Sequence, residues 1–565
     1  MFSKEKTENI IVLLSFVTVF VWLIWRVKYG FANEDETFYI ANAYRFLQGD
    51  HFYIDDWFLG QSSSFLLLPI LKIYLLINDG CMDGIMLNFR YIFCIFQFFS
   101  AIYIYSKLKK MGTYVGALLA SLIYLVYAPQ CISALCYNTL GISFYLITLV
   151  NFTLLDFKNY KKVLFVGITY GISVLCCPSL FFIYILCTVF MFVKYLLGRE
   201  YQMIEAWGYF TIGGAIIAIL FLGYIFFNGV SVYDFCNNIS YLLNYHHTVN
   251  NKSIFNVIIF YFDFLYNNIF LARGIPINNI LIILTSIALF IDKNKNRYYI
   301  YYILLAVEFT VFISTYRLLT INYVMYPLNI LGLIIYIANK DLKDRNIFFR
   351  FWMPGMLYTF LISMVSITGV FSLTSASIVP LMGSIVIICN NTHNLYKQQA
   401  MKNKWCILLV IPILLTLCLE VEMRQKHIYW GGDIEEQKIF VDKGIEKGLY
   451  VRDDDYYFDY IENMDNVLFL DKSEFHSIAY VTSNPYMYLM TPNMRNKFFM
   501  AYILLDRMDF NYYKKTLDSY YLDDNRRPDV VYIDNNAEED YSKWFIDRFK
   551  YKNELNTPSG AQIIY

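Results

Sequence analysis

The chain has 565 residues, of which 58% are hydrophobic and 16% are charged, and its formal net charge is zero. Soluble globular proteins are about 45–50% apolar and about 25% charged. The composition therefore excludes a cytosolic enzyme, a disordered chain and a fibrous protein, and without a surface dense in Lys, Arg and aromatic residues it argues against nucleic acid as a partner.

The charges divide the chain into two regions. Residues 421–565 carry 26 Asp and Glu against 18 Lys and Arg, whereas residues 1–420 carry 20 against 28. We expect an α-helical multi-pass membrane protein with about 13 transmembrane helices over 1–420 and a small extracytoplasmic α/β domain over 421–565. All 11 cysteines lie at or before Cys418 without a CxxC pair, which indicates neither a zinc site nor a disulfide framework.

The first apolar run, residues 9–25, follows Lys4 and Lys6 and lacks a small-residue cleavage site, which predicts an anchor with a cytoplasmic N-terminus. Twelve further runs lie near 88–106, 113–129, 139–155, 163–178, 179–196, 207–227, 277–291, 299–314, 322–338, 347–369, 374–390 and 405–420. Thirteen spans place every later basic cluster in the cytoplasm and the acidic tail outside the cell, so the predicted location is the plasma membrane.

Two other segments have ambiguous hydropathy. Residues 64–77 are apolar but shorter than the roughly 20 residues of a span. If 64–77 crossed the membrane, the basic cluster at 107–110 would lie outside the cell. This alternation of sides, which we call the charge parity, favours a re-entrant or interfacial helix at the outer face for this segment, and also for residues 254–272. The first outer loop, 27–63, and the tail would then lie on the same side of the membrane.

The tail itself predicts short buried strands at 466–471 and 528–534. A stripe of Phe498, Tyr502 and Leu505 predicts a helix over 496–520. No phosphate-binding or nucleophile motif occurs there, so no chemistry is predicted for the tail.

The first outer loop opens with the acids Glu34, Asp35 and Glu36, which begin a helical pattern that ends at Gly49. Helical spacing puts Asp35 on the face of Tyr39. Asn33 and Glu36 also have capping-box spacing, and acids in a first turn suit the helix dipole. The residues alone therefore leave a structural and a functional role open for this acidic cluster.

The loop nevertheless resembles the first outer loop of the GT-C superfamily of membrane glycosyltransferases, which includes the protein O-mannosyltransferases and the lipid A aminoarabinose transferase. The resemblance rests on Asp35-Glu36, Phe38-Tyr39, Leu47-Gln48-Gly49-Asp50, Asp55-Asp56-Trp57 and Gln61-Ser62-Ser63-Ser64. The Lys-Pro-Pro element of the aminoarabinose transferase is replaced here by Gln61–Ser64, so the phosphate ligand carried by that Lys is not transferred.

The resemblance implies an inverting transfer of a sugar from a polyprenyl-phosphate carrier to a hydroxyl of a glycan, lipid or protein acceptor. It gives Asp35 the role of general base, and Glu36 would orient the acceptor or support Asp35. The residues that the resemblance implies in substrate binding are Tyr39, Asp55, Asp56, Gln61, Arg90, Tyr137, Asn138, Arg317 and Tyr323. The predicted topology adds two outer-face candidates: Arg273, at the end of the helix over 254–272, and His246 in the long loop before it, for which a solvated loop position is the alternative.

Arginine suits the leaving phosphate because its planar fork can bind two oxygens. Arg317 is the first candidate, Arg90 the second and Arg273 the third, although each could also be an interfacial arginine that reaches toward water. The resemblance requires no cofactor. The acids of the first outer loop are nevertheless suitable ligands for a divalent cation, so metal dependence is left open. A transporter or flippase of lipid-linked sugars and a non-catalytic membrane scaffold are the alternative functions.

Overall fold

The structure is a computed structural model. It describes residues 4–31, 33–198, 201–249, 276–292, 297–315, 325–339, 342–365, 376–397, 401–428, 432–453, 475–491, 494–505, 509–557 and 560–565, with the single residues 255, 258, 259, 262, 294 and 470.

The first three quarters of the chain are helical. The helices are α1 (Lys4–Arg26), α2 (Asn33–Leu47), α3 (Leu68–Ile77), α4 (Ile85–Met111), α5 (Tyr114–Val126), α6 (Tyr137–Thr153), α7 (Tyr160–Cys176), α8 (Leu180–Gly198), α9 (Tyr201–Phe227), α10 (Val232–Val249), α11 (Pro276–Ile291), α12 (Tyr298–Thr315), α13 (Met325–Asn339), α14 (Leu342–Ile347), α15 (Met353–Val365), α16 (Ile378–Lys397) and α17 (Ile411–Lys426). Each of the thirteen apolar runs contains helical structure.

Six described helical stretches are long and apolar enough to cross a membrane: Glu5–Arg26, Ile85–Met111, Leu180–Gly198, Gln202–Phe227, Tyr298–Thr315 and Lys404–Lys426. Several of them expose large apolar side chains, such as Phe190 on α8 at 63% and Leu220 on α9 at 57%. Soluble monomers rarely expose apolar patches of this kind, so the fold is compatible with a helical membrane protein.

The segment predicted as a re-entrant helix is bent. A 3₁₀ stretch, Leu59–Leu66, and α3 meet at an angle of 48°. Pro69 lies in the first turn of α3, where its missing N–H leaves no helical hydrogen bond unmade. A bend of this size fits a broken span or a re-entrant loop.

The helix of the first outer loop is confirmed as α2. Gly49 follows its end with φ +109°, and the Asp50 N–H donates to the Arg45 carbonyl at 3.1 Å. This is the wide hydrogen bond of a Schellman motif, which needs a residue that tolerates positive φ. The turn directs the chain back along α2 and sets the position of Asp55 and Asp56.

The tail contains the predicted α/β structure. Its elements are β1 (Gln437–Phe440), β2 (Tyr450–Arg452), β3 (Ser477–Val481), α18 (Met487–Met490), β4 (Arg495–Asn496), α19 (Phe510–Tyr520), β5 (Val530–Ile533), α20 (Glu539–Phe549), β6 (Glu554–Asn556) and β7 (Gln562–Ile564). β1 and β2 are antiparallel. The other strands form a sheet in the order β4-β3-β5-β7-β6, in which β3 is parallel to β4 and β5, and β7 is antiparallel to β5 and β6.

The strand predicted at 528–534 is confirmed as the fully buried β5. The helix predicted over 496–520 is wrong in its first half, because residues 497–505 are irregular and follow β4. Phe498 is buried in this irregular segment, two residues after the end of β4, and not on a helical stripe. The helix begins at Phe510, where the Asp509 side chain accepts the Tyr512 N–H. The strand predicted at 466–471 lies outside the described residues except for Leu470.

The tail packs against the outer ends of α1 and α4 predicted by the charge parity. The backbone carbonyl of Tyr450 in β2 accepts the Gly30 N–H at 2.7 Å, and the Tyr450 backbone N–H donates to the Lys28 carbonyl at 2.8 Å. The Gly84 and Met86 N–H groups donate to the carbonyls of Gly444 and Ile445. Tail carbonyls thus satisfy N–H groups at the start of α4, which a helix cannot satisfy by itself.

Candidate functional site

The first centre lies at the start of α2, around Asp35. The side chain of Asp35 is half-buried, and its carboxylate acts electrostatically on Tyr39, Cys136 and Tyr137. The Tyr39 and Tyr137 rings lie 5.7 Å apart. The structure therefore brings together the acid and the two tyrosines that the sequence analysis assigned to the site, although about 100 residues of sequence separate Tyr39 from Tyr137.

Tyr137 and Asn138 are the first two residues of α6. The backbone N–H of Cys136, just before the helix, donates to the Thr139 hydroxyl at 3.0 Å, which fixes the start of the helix. Asn138 makes a side-chain hydrogen bond to Tyr137. α6 thus begins two residues before the apolar run 139–155, and its first residue, Tyr137, lies near Asp35.

Both phenols are held neutral. Burial raises the pKa of Tyr39 and of Tyr137, and the nearby Asp35 carboxylate raises both further. A neutral phenol is a hydrogen-bond donor. The described part of this centre therefore combines the half-buried Asp35 carboxylate with two phenol groups.

Glu36 faces away from that centre and binds Arg90 on α4. The Arg90 Nε and Nη2 groups donate to the two carboxylate oxygens of Glu36, the latter at 2.6 Å, and both side chains are buried. The remaining donors of Arg90 go to the carbonyls of Val27 at 2.7 Å and Gly30 at 2.8 Å. This bidentate pair fixes α2 on α4 and the end of α1.

These contacts bear on the roles expected for Glu36 and Arg90. Glu36 is engaged by an arginine 54 positions away, so its role is not merely a helix cap. Arg90 already donates through all three nitrogens to acceptors of this chain, so a lipid phosphate would have to displace Glu36. Arg90 is better described as the residue that positions Glu36 and, through the helix, Asp35.

The tail closes over the Glu36–Arg90 pair with Glu446. Its side chain is 2% exposed, and burial raises its pKa against the opposing effect of Arg90. The raised pKa favours the neutral form of the Glu446 carboxyl, which avoids a second buried negative charge beside Glu36.

The second centre lies at the other end of α2, about 15 Å along the helix axis from Asp35. Arg45 binds two acids there: its Nε donates to Asp50 at 3.0 Å and its Nη1 donates to Asp56 at 2.9 Å. All three side chains are at least 95% buried. Its guanidinium also lies over the ring of Tyr488 in the tail, 5.0 Å from the centroid.

One cation shared between two buried acids leaves an excess negative charge. Burial, assisted by Asp55 and Asp56, outweighs the attraction of Arg45 and raises the pKa of Asp50 to about 7. Burial also raises the pKa of Asp56, again against Arg45. The centre is therefore a buried ionic joint and not an open substrate site.

Asp55 lies at the rim of this joint and pairs with His51. The His51 backbone N–H donates to Asp55 at 2.8 Å, and the ring Nδ1 lies 2.9 Å from the same oxygen. Although burial works in the opposite direction, the hydrogen bonds from His51 keep the pKa of Asp55 below its usual value. The bond to Asp55 raises the pKa of His51.

Gln61 is a structural residue of the loop. Its oxygen accepts the Tyr53 N–H at 2.9 Å, and its amide nitrogen donates to the carbonyls of Asp56 and Phe58. Tyr53 has φ +62°, so this contact holds a left-handed turn in place. The substrate-binding role expected for Asp56 and Gln61 is not supported, because both are fully buried and hydrogen-bonded within the chain.

The tail contributes aromatic residues to both centres, which sequence reasoning missed. Tyr502 packs on Phe38 with ring centroids 4.9 Å apart and acts electrostatically on Tyr39. At the second centre the backbone N–H of Trp57 donates to the carbonyl of Phe499 at 2.7 Å. The Arg526 guanidinium lies over the Trp57 ring, 5.5 Å from its centroid. The aromatic richness of 496–520 was the available signal, but it was assigned to a helical stripe.

Four predicted site residues are not placed. Arg273, Arg317 and Tyr323 lie outside the described residues, and His246 lies in α10 at a position whose side chain is not described. Their roles remain predictions.

The described residues do not form a divalent-cation site in the first loop. No group of three His, Cys, Asp or Glu side chains able to hold a metal occurs within the described ranges. Glu36 binds Arg90, Asp56 binds Arg45 and Asp55 binds His51.

The chain matches no protein-family model, and no curated protein has a sequence similar enough to count as a relative. The resemblance to the membrane glycosyltransferases therefore still rests on the motifs of the first outer loop.

Proposed function

We propose that this protein is a GT-C-type glycosyltransferase that moves a sugar from a polyprenyl-phosphate carrier to an acceptor hydroxyl at the outer face of the plasma membrane. The observation that carries the proposal is the different environment of two adjacent acids. Glu36 forms a buried ion pair with Arg90, whereas Asp35 is half-buried beside Tyr39 and Tyr137.

In the proposed reaction the acceptor oxygen attacks the anomeric carbon and its proton passes to the Asp35 carboxylate. The bond from the anomeric carbon to the phosphate oxygen breaks, and polyprenyl phosphate leaves. A positioned carboxylate contributes about 10²–10⁴-fold to such a proton transfer. Tyr39 and Tyr137 would donate hydrogen bonds to the sugar or acceptor.

The leaving phosphate needs a cation near the same face. Because Arg90 is engaged by Glu36, Arg317 is the first candidate and Arg273 the second. Both follow from the sequence analysis. Substitution of either arginine by lysine should keep only part of the donor binding, since arginine can bind two phosphate oxygens and lysine is a single point charge.

The proposed membrane topology has thirteen spans, a cytoplasmic N-terminus and an extracytoplasmic tail. It is supported by helical structure in the described part of each apolar run, six of which form helices long enough to span, and by the packing of the tail on residues 28–30 and 84–86. Labelling of single cysteines should place residues 30–62 and the tail outside and residues 107–112 inside. A cytoplasmic tail would contradict this topology and the whole site assignment.

The activity test uses the purified full chain with a polyprenyl-phosphate sugar and a mixture of candidate acceptors. A glycosyltransferase releases free polyprenyl phosphate in an acceptor-dependent manner, whereas a flippase moves the lipid across the bilayer without releasing it. Movement of intact donor across vesicles, with no release, would favour the transporter and contradict the proposal.

A further inference from the structure

A basic cavity lies at the opposite end of α4 from Arg90. It has a volume of about 430 Å³ and lies between the end of α4, the end of α6 and the start of α7. Four lysines line it: Lys107 and Lys110 from α4, and Lys161 and Lys162 from α7. No Asp or Glu occurs among the described residues that line it.

Two of these lysines lie where a helix dipole disfavours a cation. Lys161 and Lys162 lie in the first turn of α7, where the positive end of the helix dipole repels cations. Lys107 and Lys110 face the same space from the other side. The nearest acid along the chain, Asp156, is exposed and accepts the backbone N–H of Lys158.

The polar part of the cavity is organised. The Tyr103 hydroxyl donates to the Asn151 side chain at 2.9 Å, and the Asn151 amide donates to the Ile147 carbonyl. The Lys107 ammonium lies over the Tyr103 ring, 5.0 Å from its centroid. These contacts hold Lys107 at the cavity without neutralising its charge.

An apolar surface adjoins the lysines. Leu154 and Phe165 belong to the cavity lining, yet they are 38% and 43% exposed. A ligand with an anionic head and an apolar tail would satisfy both surfaces, whereas a free phosphate ion would use only the lysines.

The cavity also lies at the expected membrane depth. Arg90 and Lys107 are 17 positions apart on one helix, which is about 26 Å along the axis. The hydrocarbon core of a bilayer is about 30 Å thick, so the cavity and the Asp35 centre would face opposite interfaces. The basic end is the predicted cytoplasmic end, where anionic lipids are concentrated.

We infer that this cavity binds the phosphate headgroup of an anionic phospholipid of the cytoplasmic leaflet. Lys107, Lys110, Lys161 and Lys162 contact the phosphate, and the acyl chains leave along Leu154 and Phe165. The site is separate from the proposed transfer chemistry and requires no activity to be measured.

The test is native mass spectrometry of the full chain in detergent, titrated separately with phosphatidylglycerol, with phosphatidylcholine of the same chain length and with inorganic phosphate. Phosphatidylglycerol should bind at least about 10-fold more tightly than the other two, since each surface lysine strengthens anionic-lipid binding roughly fivefold. Equal binding of the two lipids, or inorganic phosphate binding as tightly as phosphatidylglycerol, would overturn the inference.

A matched pair of variants separates a site from general surface charge. Lys107→Gln with Lys162→Gln removes two cavity lysines, and Lys109→Gln with Lys158→Gln removes two lysines from the same segments outside the cavity lining. The first pair should weaken phosphatidylglycerol binding by about 25-fold at roughly fivefold for each lysine, and the control should change it severalfold less. An equal loss in both pairs would indicate diffuse attraction and would overturn the inference.

Discussion

The two ends of α2 show how similar acidic sequences acquire different chemistry. At the start of the helix, Glu36 is neutralised by Arg90 and Asp35 is half-buried beside two tyrosines. At its end, Asp50 and Asp56 share Arg45 in a fully buried joint with the tail. A general base has to reach its substrate, whereas a buried joint has to exclude water. Under the proposed function, the first end would therefore hold the general base, and the second end joins α2 to the tail.

The largest effect on stability is expected from Arg45→Met. It would leave Asp50 and Asp56 buried without their shared cation, which costs about 3–5 kcal/mol for a broken buried ion pair. Thermal or denaturant unfolding of the purified chain would measure this loss. A change below about 1 kcal/mol would mean that the joint is hydrated and that the contrast between the two ends of α2 is overstated.

The second effect is a pH dependence centred on Asp50. Its pKa is about 7 in the folded chain and near 4 when unfolded, so between these values the folded chain holds a proton that the unfolded chain releases. Raising the pH from 4 to 7 should therefore destabilise the fold through this group by an amount on the order of 2–4 kcal/mol.

The measurement compares unfolding of the parent and of Asp50→Asn across this pH range. In the variant, the free energy of unfolding should lose most of the decrease with pH that Asp50 causes, because the asparagine amide does not titrate. His51→Gln serves as the control, since the raised pKa of His51 gives a loss of stability only above its ordinary pKa. An unchanged slope in Asp50→Asn would place the titration elsewhere.

Glu36→Gln should have an intermediate effect. The amide can still contact Arg90, but charge-assisted hydrogen bonds are lost, which costs about 1.5–3 kcal/mol. Turnover should fall less than in Asp35→Asn, because Glu36 acts on the position of α2. If Glu36→Gln abolished turnover at unchanged stability, Glu36 would itself contact substrate.

The smallest effect is expected from Arg526→Gln at the rim of the joint. This arginine lies over the rings of Trp57 and Tyr520, and its contribution should be about 0.5–1 kcal/mol, as for other partly exposed cation–π contacts. Unfolding experiments should show this small loss without a change in the pH slope. A loss as large as that of Arg45→Met would make the rim part of the joint.

Local features of the fold were predictable from the sequence because they depend on neighbouring residues. Hydrophobic runs predicted the helices, and Gly49 predicted the end of α2. The apolar residues between Pro528 and Asp534 predicted the buried strand β5. The first half of the predicted helix at 496–520 is wrong because the chain enters it from β4, whose pairing with β3 depends on residues distant in sequence.

The candidate site was predictable only in part, for the same reason. Asp35 and Tyr39 share a helix, so spacing alone brought them together. The Glu36–Arg90 pair spans 54 positions, and Arg45 was overlooked because its acids follow in the next turn of chain and not on α2 itself. Spacing cannot show which of several acids pairs with a distant cation, and that pairing is what distinguishes the structural acids from the proposed base.

The most direct test of the central claim is the release of polyprenyl phosphate by Asp35→Asn, measured together with donor binding. The variant keeps the size of the side chain and most of its hydrogen bonding. Turnover should fall about 10²–10⁴-fold if the carboxylate is the general base, while the donor still binds. Near-normal turnover in Asp35→Asn, with loss of turnover in a folded Asp55→Asn variant, would contradict the assignment and move the base to the other end of α2.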